Sequence, residues 1–226
     1  MTGTSARPRQ RQATARGLLV VVGVSLSVTT TAFLIGRVAQ SVSKNQMAPW
    51  ILGRAAGVTS YLLLVLLVLA GLGLSRSRPG RLARVNIATR IRLHVTLAAL
   101  TATFTVLHIV VLATDRYAGV GVMGAILPMH STYRPVATTF GVIGFWAGLF
   151  TGLTAALAGR LPVGIWWTIH KFAIVSLVLV LLHGLLGGGD TRVLALMYVT
   201  SAAVVAWVAL SRYRCERKST ARVDRR

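Results

Sequence analysis

Four of the five histidines fall in two pairs, His94 with His108 and His170 with His183, each pair inside an apolar run long enough to span a membrane. The spacings are 14 and 13 residues. At about 1.5 Å of rise per residue, the members of a pair lie about 20 Å apart along a helix. A histidine held in lipid is costly and points to function. Imidazoles at two depths on each of two helices are the donor set that a stack of two haems needs, one ligand from each helix on either side of each iron. Two axial nitrogens leave no open position for oxygen. Such a centre suits electron transfer, its potential tuned by ligand, burial and hydrogen bonding.

The angular fit differs between the pairs. Fourteen residues make nearly four turns, so His94 and His108 share a helix face, whereas thirteen leave His170 and His183 about 140° apart on an ideal helix. A bend, a π-bulge or haems at different azimuths must absorb the difference. A single membrane histidine can simply hydrogen-bond across helices. Four histidines in two depth-matched pairs on non-adjacent spans are not accounted for that way. An ordinary metal site fits less well, because no carboxylate or cysteine lies within these helices and the two levels are too far apart to share an ion.

The elements that carry the histidines follow from composition. Of 226 residues 54% are apolar, the mean hydropathy is +0.69, and only four are acidic: Asp115, Asp190, Glu216 and Asp224. Six runs reach the length of about 20 apolar residues that the hydrocarbon layer requires: 17–35, 51–74, 91–114, 136–158, 163–186 and 193–210. They are too continuous for the alternating strands of a barrel, and backbone groups in lipid must be satisfied internally, so helices are expected. The fold class is an all-α integral membrane protein, a bundle of six transmembrane helices over 17–211.

A net charge of +21 would fit nucleic acid, but its distribution fits topology instead. Arg7, Arg9, Arg11 and Arg16 precede the first span; Arg76, Arg78, Arg81, Arg84, Arg90 and Arg92 join the second to the third; Arg160 and Lys171 flank the start of the fifth; seven more follow the sixth. These are 19 of the 25 basic residues, against 6 on the other side (Arg37, Lys44, Arg54, Arg116, Arg134 and Arg192). The positive-inside rule places both termini in the cytoplasm, with 1–16 and 212–226 as basic, irregular tails able to hold anionic lipid. A plasma-membrane location is expected, and no nucleic-acid partner. The first span has the basic start of a signal peptide, but its long apolar run and lack of a small-residue cleavage site favour an uncleaved helix. Cys215 is the only cysteine, which rules out an intramolecular disulfide and a thiolate cluster. About 16 residues follow the sixth span, too few for a flavin or nucleotide domain, and no G-x-G-x-x-G loop follows a strand.

The chain resembles the ferric reductase-like transmembrane domain family, the membrane part of ferric-chelate reductases and NADPH oxidases. The resemblance covers roughly residues 48–210. It rests on the 14 and 13 spacings on the third and fifth helices, on Trp167-Thr168-Ile169-His170-Lys171, on Leu182-His183-Gly184, and on Trp50-Ile51-Leu52-Gly53-Arg54-Ala55-Ala56-Gly57 at the start of the second. It implies two b-type haems, one ligated by His94 and His170 on the cytoplasmic side, the other by His108 and His183 on the outer side. The flavin and NAD(P)H domains that ferric reductases carry are not among these residues. The resemblance is therefore to the short bacterial members, among them the membrane subunit of methionine sulfoxide reductase systems, which work with separate partners. The expected function is transfer of single electrons across the membrane. The donor would be a separate flavoprotein reductase or quinol, and the acceptor an extracytoplasmic ferric chelate, oxygen, quinone or periplasmic redox protein. The alternative is a non-catalytic anchor subunit of a redox complex. Cytochrome b of quinol oxidoreductases has similar histidine spacing, but its Pro-Glu pair does not occur here.

Arg54 sits just inside the outer end of the second span, where a guanidinium must snorkel or find an anion. An outer haem propionate is the anion the resemblance suggests. Lys171, Arg90 and Arg92 stand at the inner level, the two arginines also serving topology. His130, in the outer loop 115–134, reads as a solvated histidine or as a lid over the outer centre. Gly141, Gly144, Gly148 and Gly152 make a small-residue stripe on the fourth span, which suits close helix packing or a porphyrin face.

Overall fold

The computed structural model describes residues 47–74, 86–189 and 191–223, and every regular element among them is helical. In chain order these are α1 (Ala48–Leu74), α2 (Ile87–Thr114), a short α3 (Gly121–Ile126), α4 (Pro135–Ala156), a 3-10 turn (Ala158–Arg160), α5 (Val163–His170), α6 (Phe172–Gly187) and α7 (Thr191–Val223). Five segments are long and apolar enough to cross a membrane: α1, α2, α4, α5 with α6 taken together, and α7 as far as Ser211. They coincide with the expected spans from 51–74 to 193–210, their ends differing by at most four residues. The expected first span, 17–35, the N-terminal tail and the arginine-rich connection 75–85 lie outside the described residues.

Local chemistry sets the helix starts. The Asn86 side chain accepts the Ala88 N–H at 3.0 Å and caps α2. Pro135 opens α4 at a position where its missing N–H costs nothing, and Pro162 immediately precedes α5. The end of α7 corrects an expectation. An irregular tail was expected from 212, but the helix continues to Val223. No glycine or proline falls within it, and its alanines, arginines and lysine are good helix formers, so nothing stops the helix where the apolar run ends.

Two antiparallel helix hairpins frame the histidines. In the first, Gly53 of α1 lies against Leu112 and Val111 of α2, and the hydroxyls of Ser60 and Thr105 meet at 2.6 Å. In the second, Gly144 of α4 lies against Leu179 and Val180 of α6, and the Ser176 hydroxyl donates to the Gly144 carbonyl at 2.8 Å. Lipid supplies no hydrophobic drive to pack one helix on another, so small residues and interhelical hydrogen bonds do that work. A cluster of Tyr61, Val65, Val68, Leu177 and Tyr198 ties α1 and α6 to α7. Within it Ser201 donates to the Tyr198 carbonyl, which leaves the Tyr61 hydroxyl as donor to Ser201 at 2.6 Å. The outward faces are apolar: Leu66, Val106, Leu196, Trp207 and Val193 are between 51 and 82% exposed. Such surfaces belong in lipid.

Candidate functional site

The structure brings the four histidines together in cross-hairpin pairs. His94 of α2 meets His170 at the end of α5, with ring centres 6.2 Å apart and planes 60° apart. His108 of α2 meets His183 of α6 at 6.1 Å and 77°. Because both pairs run in the same chain direction, α2 and the α5–α6 span are parallel and the pairs form two levels. The lower level lies toward the start of α2 and the upper level toward its end.

The fifth span is not one uninterrupted helix. The helix is interrupted at Lys171, between α5 and α6. The Lys171 N–H still reaches Trp167 at 3.3 Å, but the Ile174 N–H bonds Lys171, three residues back, at 3.1 Å. A turn of this kind gains roughly 60° over an α-helical one and so takes up part of the ~140° between His170 and His183.

At the upper level each ring is fixed from behind. Nδ1 of His108 lies 2.7 Å from the Gly53 carbonyl, and Nδ1 of His183 lies 2.8 Å from the Ala137 carbonyl. A carbonyl only accepts, so each Nδ1 carries a proton and donates, and in the neutral ring Nε2 keeps its lone pair for a metal. The lower level is held differently. Nδ1 of both His94 and His170 is buried without a hydrogen bond. Trp166 stacks on His170 with ring centres 5.3 Å apart and planes at 27°, and its own Nε1 is likewise buried without a hydrogen bond.

The other expected residues are placed as follows. Arg54 lies at the upper level, next to the Gly53 that holds His108, with its guanidinium 5.4 Å from the Trp50 ring and close to Gly189 after α6. Lys171 and Arg92 are exposed, while Arg90 turns back to donate to the Gly73 carbonyl. His130 is exposed and its Nδ1 bonds the nearby Pro128 carbonyl at 2.8 Å, as a solvated loop histidine would. Of the α4 stripe, Gly141 touches His183, Gly144 and Gly148 touch other α6 side chains, and no described residue lies close to Gly152.

Sequence reasoning missed an aromatic cover at the upper end. Trp50 of α1 packs edge-on to Tyr133 at 5.3 Å and to Tyr117 at 6.0 Å. The Tyr133 hydroxyl donates to the Gly187 carbonyl at 2.8 Å, and Arg134 donates to Leu186 at the same distance. Loop 115–134 is thus tied down over the ends of α1 and α6, with Met129 (φ 63°) and Arg134 (φ 40°) in the left-handed region. The only signal in the sequence was the density of aromatic residues at Trp50, Tyr117 and Tyr133.

Among the described residues no three His, Cys, Asp or Glu side chains come together. Each level therefore offers two imidazole rings about 6 Å apart, with no carboxylate grouped with them among the described residues. No family model, curated protein or solved structure matches this chain.

Proposed function

We propose that this chain is a transmembrane di-haem b-type cytochrome of the ferric reductase-like kind, moving single electrons across the plasma membrane. His94 and His170 would hold one haem, and His108 and His183 the other. The observation that carries the reading is the ring separation of 6.2 and 6.1 Å in the two pairs. Two imidazoles on opposite sides of one transition-metal ion, each nitrogen about 2 Å from it, have ring centres roughly 6 Å apart. A zinc-type site would need further protein ligands, whereas a porphyrin brings four nitrogens of its own. The bound haem supplies reversible one-electron chemistry.

The chain supplies the rest. His94, His170, His108 and His183 would hold the two haems, and Arg54 would offer a propionate a guanidinium at the upper level. With the arginine-rich connections inside, the lower level faces the cytoplasm and the upper level the outside. Electrons would come from a separate flavoprotein reductase or quinol. They would leave to a ferric chelate, oxygen, a quinone or a periplasmic redox protein.

The test is the pyridine haemochrome stoichiometry and dithionite-reduced spectrum of protein purified from membranes. Two haems per chain with a b-type α band are expected. A haem-free, stably folded chain would instead favour a non-catalytic anchor subunit.

A further inference from the structure

Three of the four histidine rings lie against a glycine of the neighbouring helix. A methyl group on Gly57 would fall 2.7 Å from Nδ1 and 2.8 Å from Cε1 of His108. On Gly141 it would fall 2.7 and 2.9 Å from the same atoms of His183, and on Gly71 it would fall 3.1 Å from Cε1 of His94. For His108 and His183 the carbonyl that receives the Nδ1–H belongs to the residue four positions before the glycine, Gly53 and Ala137; His94 makes no such bond.

The regularity has a geometric cause. In a helix the Cβ of a residue leans toward the N-terminus and flanks the carbonyl of the preceding turn. Where that Cβ is missing, a side chain from a neighbouring helix can reach the carbonyl's second lone pair. Ser176 uses the same opening, resting on Gly148 and donating to Gly144.

We propose that Gly57 and Gly141 are ligand-positioning residues. Each is a seat that lets an imidazole lie flat on the neighbouring helix and directs its Nδ1–H to the carbonyl one turn back, leaving Nε2 for its metal. The proposal rests on the di-haem reading for its redox consequence, but the seat itself is a property of the protein alone. A hydrogen bond from Nδ1 raises the basicity of a metal-bound imidazole. A more basic ligand favours the oxidised metal, so losing the bond raises the midpoint potential of that level.

Two measurements on the full chain in lipid vesicles test this. In a redox titration, Gly57→Ala and Gly141→Ala should move the same step upward, because both rings belong to the upper level. Gly144→Ala serves as the packing control: its methyl would meet Val180 at 3.0 Å and Leu179 at 3.2 Å, and no histidine. It should leave both steps in place. In histidine-labelled protein, the Nδ1–H resonances of His108 and His183 should lie downfield, as strong N–H···O bonds do, and lose that shift in Gly57→Ala and Gly141→Ala respectively. Unmoved potentials in haem-replete Gly57→Ala and Gly141→Ala would overturn the proposal, as would an equal shift in Gly144→Ala. A wild-type chain without haem would sink the di-haem reading alone; the N–H resonances would then decide the seats, unchanged signals overturning them. If Gly57→Ala and Gly141→Ala fail to assemble, the wild-type resonances decide: His108 and His183 should be downfield and His94, which makes no such bond, should not; downfield signals absent from His108 and His183 overturn the proposal.

Discussion

At the scale of single residues, the two levels are built from the same ligand type in unlike settings. His108 and His183 each donate to a helix carbonyl, whereas His170 leans on Trp166 and its Nδ1 has no well-formed hydrogen bond. Arg54 adds a second difference, a guanidinium beside Gly53 at the upper level, whereas Lys171 and Arg92 near the lower level are exposed. A nearby cation favours the electron-bearing form of a redox centre, and at an effective dielectric of about 20 a charge about 10 Å away contributes on the order of 1–2 kcal/mol. Arg54→Gln should therefore lower one of two midpoint potentials by tens of millivolts, haem content staying near that of the wild type. An unchanged titration would mean that Arg54 only anchors the helix end at the lipid surface, and loss of both haems that it serves assembly. The pairing of these histidines was legible in the sequence because depth along a helix follows from residue count. Their glycine seats were not, because close approach depends on which turns of two different helices meet.

At the scale of elements, the spans were legible and one discontinuity was not. Long apolar runs bounded by Asn86, Pro135, Pro162 and Gly188 mark helix ends within a few residues, since caps and prolines act locally. The break at Lys171 carries no such mark: Ile169-His170-Lys171-Phe172 holds neither glycine nor proline. It lies between His170 and His183, whose spacing of 13 residues leaves them out of phase on an ideal helix. The short helix α3 was also missed, since Gly121–Ile126 is six residues long and holds two glycines. It is fastened to α4 by the Trp146 indole, which donates to the Ile126 carbonyl at 3.0 Å, and by the Met129 N–H, which donates to Thr139 at 2.8 Å. Phase is the quantity the break controls, and phase can be tested. One alanine inserted after Leu179 restores a spacing of 14 but turns the rest of α6 by about 100°. His183 would then leave both Ala137 and His108. The variant should keep one haem and lose the other, as read by haem stoichiometry and by a titration reduced to one step. Retention of both haems would contradict the role given to the break.

At the scale of the whole molecule, function depends on which level faces which compartment, and that rests on the distribution of 25 basic residues. The single cysteine makes the orientation accessible to experiment. A membrane-impermeant maleimide should label Cys215 only after permeabilisation. In a Cys215→Ser background, His130→Cys, at an exposed position in the loop of the upper end, should be labelled in intact cells. The opposite pattern would invert the bundle and with it the assignment of donor and acceptor sides.

The central claim, two separate histidine-paired centres stacked across the membrane, is tested most directly by replacing each of the four histidines with alanine and titrating what remains. The pairing predicts two classes. His94→Ala and His170→Ala should share one residual haem with one midpoint potential and one low-spin signature. His108→Ala and His183→Ala should share a different one. Four variants with identical residual spectra, a grouping of His94 with His108, or a wild-type chain holding a single haem would contradict it.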